Sequence, residues 1–431
     1  MTARTKARTI GAAVAISAMA ALSACSPFAG GGGSDGVELS LLTFDAGENN
    51  SLVEELIDEF EAVHEGVTVT PTYVPEDTYV TKLQTAMLAD PPDIATTYNM
   101  DGLVQFAPIQ ESVLDAAGVE LDDFNQALRG GCELQGEVYC VGVTVGSMVM
   151  IYNKAIFDAN GVDYPSVDTP LTFQEWSAIA EQLTTPADNN DEYVWGAGSD
   201  TLFAYLDPAE VLDDTGRVVD VVNPQFLGVA GTLTSMVLEG VIPSEAQAVA
   251  IAGSGDAAGM KTIFLDGQLA TWVTDNYSVA DAEAAGLDIG VAPTPVGEGS
   301  DPWITTWTTS FGTPAKSENP DEAAQFLQFV ATEGQRIYAQ YSYVPLDNAV
   351  AQEWATDPIR QELVTVAGLA RPSVFNPNQW AWNAPLIDAL AAGFRGEPLE
   401  AALEDAQPKA QQALDTTWEQ FDRALAAAGV E

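Results

Sequence analysis

Several short stretches set an aromatic ring beside carboxylate, amide or hydroxyl groups. They are Phe44-Asp45, Tyr98-Asn99-Met100-Asp101, Asp275-Asn276-Tyr277, Trp303 and Trp307 within PWITTWTTS, and Gln379-Trp380-Ala381-Trp382-Asn383, read as a loop between Pro377 and Pro385. Gly146-Ser147 adds a position with no side chain next to a hydroxyl, and Glu76 adds a further carboxylate. Such pairings suit a ring with apolar C–H faces and a hydroxylated rim: the faces stack on aromatics and the rim takes hydrogen bonds. The candidate ligand-binding residues are therefore Phe44, Asp45, Glu76, Asn99, Asp101, Ser147, Asp275, Asn276, Tyr277, Trp307, Trp380 and Trp382. Each has a plainer role open to it. A single Trp more often packs a core, and Asp45, Glu76 and Asp101 would serve equally as helix caps or surface charge. Trp176, Trp354 and Trp418 fall in helical patterns and are read as packing, while the pattern leaves Trp195 unplaced.

Other chemistry is poorly supplied. His64 is the sole histidine and sits at the end of a helical pattern, where capping suits it better than catalysis. Ser-His-Asp, Cys-His and zinc chemistry are disfavoured accordingly. Gly253-Ser254-Gly255 lacks the strand and third glycine of a nucleotide fingerprint. The reading is a binding protein with no catalytic residues, metal or cofactor. A two-carboxylate glycoside hydrolase is the enzyme alternative, because 63 acidic residues leave a suitable pair open. An adhesin is a third class, and it leaves the polar-aromatic loops unexplained.

The elements that would position these residues alternate. Val37–Phe44 reads as a buried strand, and Ser51 with Glu54 as a capping box opening a helix whose apolar face is Leu52, Leu56, Phe60 and Val63. Val67–Tyr73 is the next strand, Thr78–Leu88 a helix stopped by Pro91-Pro92, and Asp93–Thr97 a third strand. Met148–Tyr152 is strand-like. Thr172 with Glu175 caps a helix facing inward through Trp176, Ile179, Ala180 and Leu183, and Asn319-Pro320-Asp321-Glu322 opens another. This βαβ rhythm predicts an α/β protein with a mostly parallel sheet, and 431 residues suit two domains.

The N-terminus is a targeting segment. Arg4, Lys6 and Arg8 precede an apolar run, Ile10–Leu22, too short to span a bilayer but right for a signal peptide. Leu22-Ser23-Ala24-Cys25 resembles the bacterial lipobox, which implies cleavage before Cys25 and lipidation of that residue. Residues 1–24 are thus a lipoprotein signal peptide and 25–36 a Gly-rich flexible tether. The formal charge of −48 becomes −51 once the three cations of the leader are removed. That surface argues against nucleic-acid partners and offers anionic lipid no attraction, so the expected membrane attachment is through the lipid. It also fits a high-salt habitat. Export permits a disulfide, and Cys132 and Cys140 flank a segment that reads as a short hairpin turning at Gln135-Gly136, so they are expected to pair rather than bind metal.

Six segments, in order, resemble the extracellular solute-binding proteins of ABC sugar importers, the maltose-binding-protein-like family. They are YVTKLQTAMLADPPDIATTY (79–98), VGSMVMIYNKAIFDANGV (145–162), TFQEWSAIAEQLT (172–184), FLDGQLATWVTDNY (264–277), LDIGVAPTPVG (287–297) and ENPDEAAQFLQFVATEGQ (318–335). The resemblance implies a type II periplasmic-binding-protein-like fold: lobe 1 from 37–144 plus 294–344, lobe 2 from 145–293 plus 345–431, and ligand in the cleft between them. Chain crossings would fall near Val143–Gly146, Pro293–Val296 and Tyr343–Leu346. Tyr277 stands where the family usually has Trp. The implied function is a monomeric, lipid-anchored component on the extracellular face that delivers a carbohydrate, preferably an oligosaccharide, to an ABC permease driven by a separate ATPase. A non-sugar solute is the alternative ligand.

Overall fold

The computed structural model describes residues 36–45, 48–97, 106–109, 111–134, 136–187, 192–199, 211–253, 257–340, 343–371, 374 and 376–428. Cys25 and the tether up to Asp35 lie outside the described residues, as do Asn99 and Asp101. Ten strands lie among them: β1 Val37–Asp45, β2 Val67–Pro75, β3 Ile94–Thr97, β4 Glu133–Leu134, β5 Glu137–Val138, β6 Val141–Asn153, β7 Trp195–Ser199, β8 Leu269–Asp275, β9 Ile289–Ala292 and β10 Thr306–Gly312. The main sheet runs β2-β1-β3-β10-β6-β8-β7, with β9 also on β6.

β6 organises the molecule. All of its residues are buried, as its nearly unbroken apolar run VGVTVGSMVMIYN demands of a central strand. Its first half pairs with β10, from Val141↔Phe311 to Ser147↔Thr306. Its second half pairs with β8, from Met148↔Asp275 to Tyr152↔Thr271, and with β9 from Met150↔Ala292 to Asn153↔Ile289. Partners therefore change at Ser147/Met148, and the strand serves two groups of secondary structure. In one group β1 pairs in parallel with β2 and β3; in the other β7 pairs in parallel with β8. The segment 343–346 also borders β6, through a Thr144↔Pro345 bridge and a Val145 N–H donated to Val344 O at 2.8 Å.

Helices cover the sheet, with several departures from expectation. The first spans Glu48–Val63, so Ser51 lies inside it and caps nothing. Leu52, Leu56 and Phe60 are fully buried, but Val63 is 65% exposed; the apolar stripe stops a turn short of the helix end. The second runs Glu76–Ala89 and starts directly after Pro75 rather than at Thr78. The Thr172–Glu175 capping box forms as read, and Trp176, Ala180 and Leu183 are buried beneath it. The helix Pro320–Phe329 begins where expected, yet Asn319 does not cap it: its amide turns to the Asp93 carboxylate at 3.2 Å. The largest correction concerns residues 379–383, expected in a loop. They open the helix Gln379–Phe394, which continues through Pro385 against the C-terminal helix Leu399–Ala428.

The cysteine expectation holds. Cys132 and Cys140 form a disulfide, with Cα atoms 5.1 Å apart, at the feet of the β4–β5 hairpin. Gly136 turns that hairpin with φ +85°, a conformation glycine adopts without strain.

Candidate functional site

Strand direction alone locates a site. β3 runs antiparallel to β10, so its C-terminal end at Thr97, opposite Ser310, points toward the start of β10. β8 runs antiparallel to β6, so its end at Asp275, opposite Met148, points back toward Ser147. The two C-terminal ends face each other across the middle of β6. Trp307, paired with Gly146, stands between them. At about 3.3 Å per residue it lies roughly 10 Å along β10 from the β3 end and roughly 7 Å from the β8 end. Open α/β sheets bind ligands beyond the carboxyl ends of their strands, where strand order reverses.

An aromatic row occupies that position. Tyr277 meets Trp307 edge-on at 6.2 Å between ring centroids and Tyr343 at 4.9 Å. All three are partly exposed, as is Tyr73 nearby. The Trp307 indole lies across Gly146: a Cβ there would fall 2.1 Å from Nε1. Gly146 thus admits a neighbouring ring rather than a ligand directly. Burial pushes the Tyr277 hydroxyl pKa up, opposed by contacts with Thr144 and Trp307, so the group stays a neutral donor and acceptor. Burial likewise raises the pKa of Asp275, against hydrogen bonds from Ser278. Its Oδ1 accepts from Ser278 N at 3.0 Å, at the first residue of the helix Ser278–Ala284.

The sequence candidates among the described residues divide three ways. Tyr277, Trp307 and Asp275 are brought together at this position. Others near it are structural. Asn276 is 3% exposed and clamps β6: its Oδ1 accepts from Ser147 N at 3.0 Å, its Nδ2 donates to Val145 O at 3.1 Å, and its own N–H donates to Ser147 O at 2.9 Å. Ser147 is 1% exposed and holds the other side of that clamp. Phe44 is buried edge-on to Tyr79 at 5.7 Å, and Trp382 is buried with its indole N–H on Asn376 Oδ1 at 2.9 Å; both are core, not platforms. For Asp45, Glu76 and Trp380 the backbone is described, at the end of β1, the start of a helix and the first turn of another, but the side chains are not.

Two features were missed in the sequence. Tyr343 belongs to the aromatic row, and the pattern Tyr-Ser-Tyr-Val-Pro at 341–345 signalled it. Gln335 is fully buried and pins β6 to the segment 346–347. Its Nε2 donates to Gly142 O at 2.6 Å, and its Oε1 accepts from Leu346 N at 3.0 Å and Asp347 N at 3.1 Å. A groove of about 570 Å³ between the helices Phe173–Leu183 and Pro224–Leu238, lined by Ser177, Gly228, Gly231 and Ser235 among others, contains none of the candidates.

Comparison with known proteins places the fold. The sequence profile of the family described as bacterial extracellular solute-binding protein matches residues 46–337. A maltotriose-binding protein of Pyrococcus abyssi is 24% identical over 265 residues, 58% of this chain; the chain spans about half, 53%, of that relative's length. Among solved structures, the sugar-binding protein MalE from Xanthomonas citri superposes with a TM-score of 0.74 at 16% identity, covering 90% of this chain and 99% of that one. An ABC substrate-binding protein from Listeria monocytogenes, in complex with cycloalternan, superposes with a TM-score of 0.70 at 20% identity, covering 88% and 100%. The fold is the two-lobed α/β architecture of these proteins.

Proposed function

Because the chain belongs to the family of bacterial extracellular solute-binding proteins, we propose that it captures a carbohydrate between two lobes and delivers it to the permease of an ABC importer. Lobe 1 is 37–144 plus 294–344, lobe 2 is 145–293 plus 345–431, and the ligand is an oligosaccharide. The observation that carries this reading is the convergence of the β3 and β8 ends on the partly exposed row Trp307–Tyr277–Tyr343. Aromatic faces take the apolar sides of sugar rings, and neutral tyrosine hydroxyls suit uncharged rim hydroxyls. The sugars named for the relatives point to the same class.

The protein acts as a monomer on the extracellular face, held by lipid on Cys25 and free to turn on the tether 25–36. Ligand favours the closed arrangement because it touches both lobes there and only one when open. The sugar leaves unchanged: the chain binds and does not hydrolyse.

Calorimetry with maltose, maltotriose, maltotetraose and mannotriose tests the carbohydrate reading, with quenching of tryptophan fluorescence as a second readout. We expect saturable binding at one site, compaction in solution scattering, and the same sugar recovered afterwards. Absence of binding across neutral mono- and oligosaccharides would overturn the ligand class. Recovery of shortened sugar would favour the hydrolase. Globomycin-sensitive processing and loss of membrane association in Cys25→Ala test the anchor.

A further inference from the structure

Directly behind the aromatic row lies a polar atom that the proposed binding mode does not use. Tyr338 is 1% exposed, and its hydroxyl has no hydrogen-bond partner among the described residues. The phenols closest to it electrostatically are Tyr343, Tyr73 and Tyr277. Its ring lies 6.2 Å from that of Tyr343, which in turn lies 4.9 Å from Tyr277. A row of rings thus runs from the buried hydroxyl to the partly exposed edge of the site.

The backbone holds this hydroxyl in place. The helix Pro320–Phe329 passes into a π-helical turn, Val330–Gly334, before the helix Gln335–Ala339. A π-turn inserts one extra residue and so re-aims every side chain after it. Gln335 and Tyr338, three residues apart, lie on one face. Gln335 fixes that face against Gly142 of β6. Buried polar groups are nearly always hydrogen-bonded, so one without a partner beside a binding site needs an explanation. Hydroxyl protons rotate freely, and a small shift of the Tyr277 or Tyr343 ring would supply the partner.

We propose that Tyr338 is a positioning residue of the carbohydrate site: its hydroxyl gains a partner from the Tyr277–Tyr343 edge when a sugar hydroxyl draws those rings into their bound places. The inference rests on the carbohydrate reading above. A group satisfied only in the bound arrangement adds to the preference for that arrangement. The sugar's hydroxyl is then read through a phenol it does not touch.

The test uses the full mature chain and the tightest binder among maltose, maltotriose, maltotetraose and mannotriose. Tyr338→Phe removes one oxygen and keeps the ring. We expect its melting temperature without sugar to stay level or rise, since an unpartnered buried oxygen is gone. We expect its affinity to fall about tenfold, equivalent to ~1.4 kcal/mol. Tyr343→Phe should show a similar loss, and the double variant should bind no worse than either single one, because both changes break the same chain. Tyr338→Phe binding within about twofold of wild type, or an affinity loss accompanied by a lower melting temperature, would overturn the proposal. If the wild type binds none of these sugars, the carbohydrate reading falls and takes this inference with it. If the wild type binds and Tyr338→Phe matches it, this inference falls alone.

Discussion

Asp93 and Tyr338 are both buried polar side chains in the same sheet-centred body, and they are satisfied to opposite degrees. The Asp93 carboxylate accepts from Ser40 N and Oγ at 2.9 Å each, Ser317 Oγ at 2.7 Å, Asn319 Nδ2 at 3.2 Å and Asn319 N at 3.3 Å. It ties β1 and β3 to the entry of the helix Pro320–Phe329, with every neighbour in place. Tyr338 has no partner among the described residues, although hydroxyl-bearing rings surround it. A cluster that only holds the fold gains from complete satisfaction. A cluster beside a binding site gains from groups that a second arrangement can satisfy.

The largest expected effect breaks the satisfied cluster. Burial alone would raise the Asp93 pKa, but the hydrogen bonds from Ser40, Ser317 and Asn319 outweigh it and hold the pKa below the ordinary carboxylate value. A depressed folded-state pKa gives stability that is present above the unfolded value, near ~3.9, and lost as pH falls through the folded value. Asp93→Asn should cost about 3 kcal/mol at neutral pH by chemical denaturation, since the amide turns a donor toward donors. The gap to wild type should narrow as pH drops below about 4. A constant gap would mean that charge is not what the cluster uses.

Asn276 sits at the site yet behaves as Asp93 does, with both ends of its amide engaged on β6. Asn276→Leu leaves a buried N–H of Ser147 and C=O of Val145 without their side-chain partner, and should cost about 2 kcal/mol. Sugar affinity should fall only as far as the strand is disturbed. If affinity collapsed with stability intact, Asn276 would be a ligand group and the division between the two clusters would fail there.

Much of the fold was legible because periodicity reports burial. The strand read at Met148–Tyr152, the Thr172–Glu175 capping box and the cysteine-flanked hairpin all appear, the first as part of the longer β6. The misreadings share one cause: a local signal that tertiary contacts override. Pro377 and Pro385 argued for a loop around Trp382, because proline in a helix interior removes a hydrogen bond. Packing on the C-terminal helix outweighs that loss, and Trp382, Leu386 and Leu390 form a buried i, i+4, i+8 stripe that was visible in the sequence. Asn276 looked like a ligand group because an amide suits a sugar; only the register of β8 on β6 turns it inward. Gln335 and Tyr338 were invisible, because a π-turn that aims Gln335 at β6 and Tyr338 at the Tyr343 ring leaves no mark in residue spacing.

At the site itself the tightest contact is at Gly146. Its missing Cβ is filled by the Trp307 indole, so Gly146→Ala forces that ring aside. Affinity for the tightest neutral oligosaccharide should drop at least about tenfold, ~1.4 kcal/mol, with a smaller change in melting temperature. The reverse pattern would make Trp307 a packing residue.

The smallest effect concerns Asp275, where the two principles meet in one side chain. Its Oδ1 accepts from Ser278 N and Oγ, as a structural carboxylate should. Burial nevertheless raises its pKa despite those hydrogen bonds and the attraction of Lys261, so the fold tolerates its charge poorly. A carboxylate whose folded pKa is raised favours folding below its unfolded pKa, and that contribution is lost as pH rises through the folded value. Asp275→Asn keeps a side-chain oxygen to accept from Ser278 and removes the charge. It should therefore raise stability at pH 7 by less than about 1 kcal/mol and leave stability near pH 4 almost unchanged. If the substitution instead destabilises at pH 7, the charge interacts favourably with Lys261 or the helix N-terminus more strongly than burial opposes it. Asp275 would then belong with Asp93, as scaffold.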